Sequence, residues 1–239
     1  MQPQYKRVLL KISGESFCKP GGFGIEPEFL DHISREIELA VDTGVQVAVV
    51  VGGGNIIRGA ELAKQGHIQQ ATADHMGMLG TVINALALKE KLVSMGVDCR
   101  VMSAIEIRAV AEIFIRSRAI RHMEKGRVII LAAGTGNPFF TTDTCAALRA
   151  TELDCDLLLK ATKVDGVYTA DPKKDPNAKR YDVVTYAEAM AKNLRVMDMT
   201  AIAMCNEHHV PVLVFDFREP GNIAKAVRGE RIGTLLHHG

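Results

Sequence analysis

VQVAVVVGGGNIIRGA, residues 45–60, sets an apolar run directly against three glycines. Val45–Val51 shows no strict apolar–polar alternation, so the strand it forms is buried on both faces. Parallel strands with helices above and below them read this way. Gly52-Gly53-Gly54-Asn55 then marks a strand–helix junction with bare backbone N–H groups. The N-terminus of a following helix adds positive potential, and together these suit an anion. Arg58, one turn further on, offers a guanidinium that can grip phosphate through two hydrogen bonds.

Similar runs recur at Val8–Ile12, Val128–Ala133, Leu157–Ala161 and Val212–Phe215, with a weaker one near Val97–Met102. Amphipathic segments lie between them. Pro27–Asp42 carries Phe29, Ile33, Ile37 and Val41 on one face, with Pro27 suited to the first turn and Gly44 to the C-cap. Thr72–Met95 carries Met76, Leu79, Ile83 and Leu86 on one stripe. Arg108–Lys125 reads as a further helix, and shorter ones are expected at Thr142–Thr151, Tyr186–Lys192, Asp198–His209 and Asn222–Arg228. The alternation predicts an α/β fold, a three-layer αβα sandwich with a mostly parallel central sheet and right-handed crossovers. A chain of 239 residues with no Pro- or Ser-rich linker suits a single domain, 1–239. One extended polar loop, Asp165–Arg180, stands out as functional or mobile.

A net charge of +1 argues against nucleic-acid binding as the main business. The five cysteines are scattered and odd in number, which speaks against disulfides and zinc and for a reducing cytoplasm. No apolar run approaches the roughly 20 residues of a membrane helix, and the N-terminal run is broken by Lys11. His208 and His209 read as surface groups, His237 and His238 as a disordered terminus, and His75, beside the site, equally as a packing or capping residue or as a ligand contact.

Ligands of open parallel sheets bind at the carboxyl ends of strands, so the residues just beyond each strand are the candidates for chemistry. A lysine in an apolar strand is costly to bury. Lys11 therefore reads either as an edge-strand lysine reaching water or as a cation aimed at phosphate, with Ser13 on its face and Gly14 allowing close approach. After Val128–Ala133 comes GTGNPFFTTD, 134–143, crowded with glycines, hydroxyls and an amide. Thr141 or Thr142 suits a helix cap, with Asp143 in the first turn. After Leu157–Ala161, Tyr168 suits stacking on a base and Asp171 suits a ribose hydroxyl or base amine, though a solvated turn explains both as well. Neither G-x-x-x-x-G-K-[ST] nor G-x-G-x-x-G is present. Two anion cradles and a lysine point to a donor and an acceptor phosphate, hence phosphoryl transfer.

At these residues the chain resembles the amino acid kinase family, in its bacterial UMP-phosphorylating branch. The resemblance rests on YKRVLLKISGES (5–16), VVVGGGNIIRGA (49–60), ADHMGMLGTVINALAL (73–88), VIILAAGTGNPFFTTDT (128–144) and LLLKATKVDGVYTADPKKDP (157–176), and covers nearly the whole chain. It implies transfer of the ATP γ-phosphate to UMP. Lys11, Ile12, Ser13, Gly14, Gly54, Arg58, Thr162, Tyr168 and Asp171 would bind ATP. Gly53, Asp74, Thr135, Gly136, Asn137, Pro138, Phe139, Phe140, Thr141 and Thr142 would bind UMP. Lys11, Asp143 and Arg58 would be catalytic, with Asp143 orienting Lys11 or a metal-bound water and Lys160 a second candidate cation. The resemblance also implies Mg²⁺ carried with ATP and no dedicated metal ligands, a homohexamer, activation by GTP through Arg100 and Arg127, and inhibition by UTP. Residues about 1–140 would form mainly the acceptor-binding and subunit-contact half, and about 141–239 the ATP half. Ala73 departs from the glycine of many members, and 106–118 matches less clearly. The rival readings are a kinase of an amino acid or carbamate, a nucleotide sensor without catalysis, and an NAD-dependent dehydrogenase, the last weakened by the missing dinucleotide fingerprint.

Overall fold

The computed structural model describes residues 3–59, 63, 66, 68–172, 174–194 and 196–239. Its strands are β1 (Arg7–Ile12), β2 (Gln46–Val51), β3 (Cys99–Ser103), β4 (Glu112–Ile113), β5 (Val128–Ala132), β6 (Leu157–Thr162), β7 (Val183–Thr185), β8 (Val212–Asp216) and β9 (Thr234–His237). They form one sheet in the order β4-β3-β5-β2-β1-β6-β8-β9-β7. Every neighbouring pair is parallel except β8 with β9. β1 thus lies in the interior of the sheet, which removes the edge-strand reading of Lys11.

Among the described residues the α-helices include α1 (Pro27–Val41), α2 (Gln70–Ser94), α3 (Arg116–Glu124), α4 (Thr142–Glu152), α5 (Tyr186–Ala191), α6 (Met199–Glu207) and α7 (Asn222–Val227). Strand alternation assigns them to two layers. Val8, Leu10 and Ile12 of β1 pack with Ile33 and Ile37 of α1, Leu88 and Leu92 of α2, and Ile223 and Val227 of α7. Leu9 of β1 and Ala48 and Val50 of β2 pack on the other face, with Met123 of α3, Ala146 and Ala150 of α4, and Ile202 of α6. The three-layer αβα architecture results from this two-sided burial. Lys11 shares the pleat direction of Leu9, so its side chain points into the layer that holds α4.

Several elements differ from expectation. Arg108–Lys125 is helical only from Arg116, because Glu112–Ile113 extends the sheet as β4, paired with Met102 and Ser103. No helix begins directly after Gly52-Gly53-Gly54-Asn55. The chain turns instead, with the N–H groups of Ile56 and Ile57 both donating to the Gly53 carbonyl at 3.0 Å. Part of the segment beyond, 60–62, 64, 65 and 67, lies outside the described residues. The terminus is ordered: His237 pairs with Thr185 in the sheet, and the His238 ring sits edge-on to His209. On α2 the core-facing stripe is Met78, Val82, Ala85 and Leu88, while Leu79 and Ile83 stay half exposed.

Candidate active site

The turns after β1, β2 and β5 meet the middle of α2 around a cleft of about 400 Å³. The glycines make this meeting possible. A Cβ on Gly14 would sit 2.5 Å from Gly54 N, and one on Gly52 would sit 2.6 Å from Gly14 N. A Cβ on Gly53 would sit 2.7 Å from Gly77 O of α2. Real Cβ atoms do not approach so closely, so these three positions bring three backbones into contact. Gly54 differs: nothing lies within 4 Å of its missing side chain, and its backbone faces open space. The junction is pinned by a buried amide pair. Asn84 Nδ2 donates to Asn55 Oδ1 at 2.6 Å and to Gly52 O at 2.7 Å, and Asn55 Nδ2 donates to Gly24 O at 2.7 Å. Buried amides satisfied on both sides fix one geometry, since leaving either unpaired costs about 1–3 kcal/mol.

The loop after β5 is held by α2 and by its own cap. The N–H of Ala133 donates to Thr81 Oγ1 at 2.7 Å, at a left-handed φ of 62°. Asp74 Oδ2 accepts from the N–H of Phe139 at 2.8 Å, and its Oδ1 accepts from Gln70 Nε2 at 2.7 Å. Thr141 caps α4, accepting from the N–H groups of Asp143 and Thr144 at 3.1 and 3.2 Å. The Thr141 hydroxyl donates onward to Asp198, which also takes the Thr144 hydroxyl at 2.9 Å and caps α6 through the N–H of Ala201 at 2.9 Å. A single carboxylate therefore ties two helix starts together.

Behind the cleft lies a charge cluster. β1 and β6 are in register at Lys11 and Lys160. Asp143 of α4 reaches between them, with Oδ2 2.6 Å from Lys160 Nζ and Oδ1 2.9 Å from Lys11 Nζ. Only the Lys160 contact has hydrogen-bond geometry, so the buried Oδ1 has an ionic neighbour and no directed donor. Burial pushes the Asp143 carboxyl up, but the two ammonium groups outweigh it and hold it below the ordinary carboxylate value. Burial pulls Lys160 down, Asp143 opposes this, Lys11 adds to it, and the net shift is downward. Two cations on one carboxylate leave an excess positive charge at the back of a glycine-lined cleft.

The cleft gathers Ser13, Gly14, Gly53, Gly54, Asp74, Thr135, Phe140, Thr141 and Thr142. Gly136, Asn137, Pro138 and Phe139 lie in the loop beside it, with Phe139 largely exposed at a φ of 69°. The Ile12 side chain is core, so only its backbone faces the loop. Arg58 stands at the rim, its Nη2 2.8 Å from Glu15 Oε1. Tyr168 and Asp171 lie apart, in a second cleft of about 450 Å³. Tyr168 donates to Asp165 Oδ1 at 2.8 Å, and Thr162 lies at the end of β6 with its hydroxyl 2.7 Å from Val164 O. Arg100 and Arg127 are remote from both clefts and converge on Asp98, at 2.5 and 2.8 Å. Sequence reading missed Asp198, Thr81, Glu15 and the Asn55–Asn84 pair. Lys160 had a legible signal: LLK occurs at 9–11 and again at 158–160, and the sheet places the two lysines side by side.

The profile of the amino acid kinase family matches residues 6–216. A uridylate kinase of Paramagnetospirillum magneticum is 56% identical over 233 residues, covering 98% of this chain and 97% of that protein. The crystal structure of a UMP kinase from Bacillus anthracis superposes with a TM-score of 0.95 at 42% identity, covering 98% of this chain and 96% of the other. That of a UMP kinase from Ureaplasma parvum gives 0.92 at 37% identity, covering 99% and 100%.

Proposed function

The chain belongs to the amino acid kinase family, and from that premise we propose that it transfers the γ-phosphate of ATP to UMP, giving ADP and UDP. One observation carries the reading: Asp143 holds two lysines from adjacent strands behind the glycine cleft. In phosphoryl transfer the protein's work is positioning and neutralisation of spreading charge, and paired ammonium groups behind a bare-backbone cradle supply both. The acceptor is itself a phosphate with a second pKa of about 6, so it needs no general base. Its oxygen attacks phosphorus in line as the ADP oxygen leaves.

The glycine cleft lined by Asp74, Thr135 and Phe140–Thr142 is the acceptor side. The Tyr168–Asp171 cleft is the adenosine side, with Lys11, Lys160 and Arg58 around the phosphates between them. On this reading about 1–140 is mainly the acceptor half and about 141–239 the donor half. Among the described residues no group of three or more His, Cys, Asp or Glu stands ready to hold a metal. Asp143, whose Oδ1 has no directed donor but lies 2.9 Å from Lys11 Nζ, is the carboxylate that would hold a magnesium ion arriving on the ATP phosphates, in exchange for part of that ion pair. Bound there, the ion neutralises phosphate charge; the chain's residues align the two nucleotides and exclude water.

ADP release from ATP and Mg²⁺ is measured with UMP, CMP, dTMP and AMP in parallel, with and without GTP. UMP is expected to give the strong signal, and silence with every acceptor from folded protein would sink the kinase reading. The GTP arm tests activation through Arg100 and Arg127, and a UTP arm tests inhibition. A signal with an amino acid or carbamate instead would favour the nearest rival.

Lys160 sets a pH limit. Its lowered pKa means that the folded enzyme loses this charge before an ordinary lysine does. The kcat/KM of the wild type, which reports the free enzyme, should fall on an alkaline limb centred below the usual lysine value, and Lys160→Arg should remove that limb. A limb unchanged in Lys160→Arg would assign it to another group.

Leu79, Ile83 and Val93 lie on one face of α2, each about half exposed. We read this face as covered by a second copy, one contact of a homohexamer in the cytoplasm whose UDP product supplies pyrimidine nucleotide synthesis. Leu79→Glu is expected to lower the particle mass measured by light scattering. An unchanged mass would place the contact elsewhere.

A further inference from the structure

A third cavity, of about 430 Å³, lies on the α1 side of the sheet, against the turn after β1 and the ends of β6 and β8. Phe29 and His32 of α1 and Phe217 after β8 form its aromatic walls. The His32 and Phe217 rings are 5.8 Å apart at 44°, and His32 Nε2 lies 2.9 Å from the Phe217 carbonyl oxygen, which fixes the ring. Its charged lining is two cations, Lys163 and Arg218, and two carboxylates, Glu15 and Glu28. Arg218 is braced by Asp216 and donates to the Lys163 carbonyl at 2.9 Å. Lys163 Nζ lies 3.7 Å from Glu15 Oε2, within ionic reach but beyond hydrogen-bond distance. The same Glu15 pairs with Arg58 at 2.8 Å and lines the catalytic cleft on its other side.

We propose that this cavity is a second small-molecule site, for a planar aromatic ligand bearing one anionic group, and that its occupancy reaches the catalytic cleft through Glu15. The volume suits one or two fused rings, and apolar walls with a few convergent polar groups are what such ligands bind. The ring lies between Phe29, His32 and Phe217. The anion takes Lys163 and Arg218, which draws Lys163 away from Glu15. Glu15 then holds Arg58 alone and more firmly, and Arg58 is less ready to turn to a phosphate. The site itself does not depend on the kinase reading; only the coupling does.

The probe is naphthalene-1-sulfonate, titrated calorimetrically into the full chain, with 2-naphthol as the neutral control. One saturable site per chain is expected, weakened at least tenfold by Phe29→Ser and by Lys163→Ala, with 2-naphthol weaker than the sulfonate. Phe29→Ser, on the half-exposed first turns of α1, should keep its basal turnover, and its circular dichroism checks the fold. In turnover assays the wild type should show a KM for ATP that rises with probe and then levels off. In Glu15→Gln the probe should still bind while this rise disappears. Absence of saturable binding, or binding that Phe29→Ser leaves unchanged, overturns the site. A KM that rises without limit overturns it too, because the probe is then competing in the ATP cleft. Saturable binding with no change in KM in an active enzyme overturns the coupling and leaves the site.

Discussion

Lys11→Met is expected to lower kcat by about 10²–10³-fold or more while the chain stays folded, the range seen when one donor to developing charge is removed. The variant separates charge from packing. Methionine keeps the unbranched apolar stem of lysine and ends one atom short of its ammonium, so the interior beside β1 stays filled. Asp143 keeps Lys160, at 2.6 Å, so no carboxylate is stranded. Removing one partner of a buried ion pair is strongly destabilising because it strands the other charge, and here the remaining Asp143–Lys160 pair leaves none stranded, so the loss in stability should be small. Stopped-flow turnover beside urea unfolding tests both halves. A variant that turns over near the wild-type rate removes Lys11 from catalysis; one that unfolds shows that the charge is structural.

Asp143→Ala is expected to cost both stability, about 3–5 kcal/mol, and turnover, because it leaves two ammonium groups on adjacent strands without their counter-charge. The contrast with Lys11→Met comes from sign: removing one cation leaves a neutral pair, and removing the anion leaves two like charges. The pH dependence has the same origin. The folded Asp143 carboxyl lies below its ordinary value, so its stabilisation is present above the unfolded carboxyl pKa and is lost as pH falls through the folded one. Denaturation midpoints of wild type and variant should therefore converge in acid. The double variant Asp143→Ala, Lys160→Met should recover part of the stability, since one unpaired cation is gone, and none of the activity. Full stability in the single variant would mean that water screens the two lysines well enough to do without Asp143.

Much of the fold was legible because burial on both faces writes itself as apolar runs. Val45–Val51 and Val128–Ala133 gave β2 and β5 within a residue or two, and Pro27 and Gly44 bracketed α1. The short strands β4, β7 and β9 were not legible. Two to four residues carry no measurable period, and what makes Glu112–Ile113 extended is the open edge of β3. The same contact withdrew 108–115 from the expected helix. The stripe on α2 was misplaced by one residue because a helix with apolar residues around much of its circumference does not announce which of them meets the sheet. Thr141 as the cap of α4 was readable from local chemistry, since a threonine before Thr-Asp answers orphan N–H groups wherever it stands.

The sequence by itself determined the layer architecture, the glycine-bearing turns at strand ends and the presence of a lysine within an apolar strand, because each depends on residues near one another along the chain. Only the tertiary structure decided that Lys11 and Lys160 are neighbours, that Asp143 stands between them, and that Gly14, Gly52 and Gly53 are small so that three backbones can touch. Those facts depend on strand order and register, which are set by how the two apolar layers close over the sheet. A charge's partner in a parallel sheet lies one strand away in space and, for Lys11 and Lys160, 149 positions away in the chain.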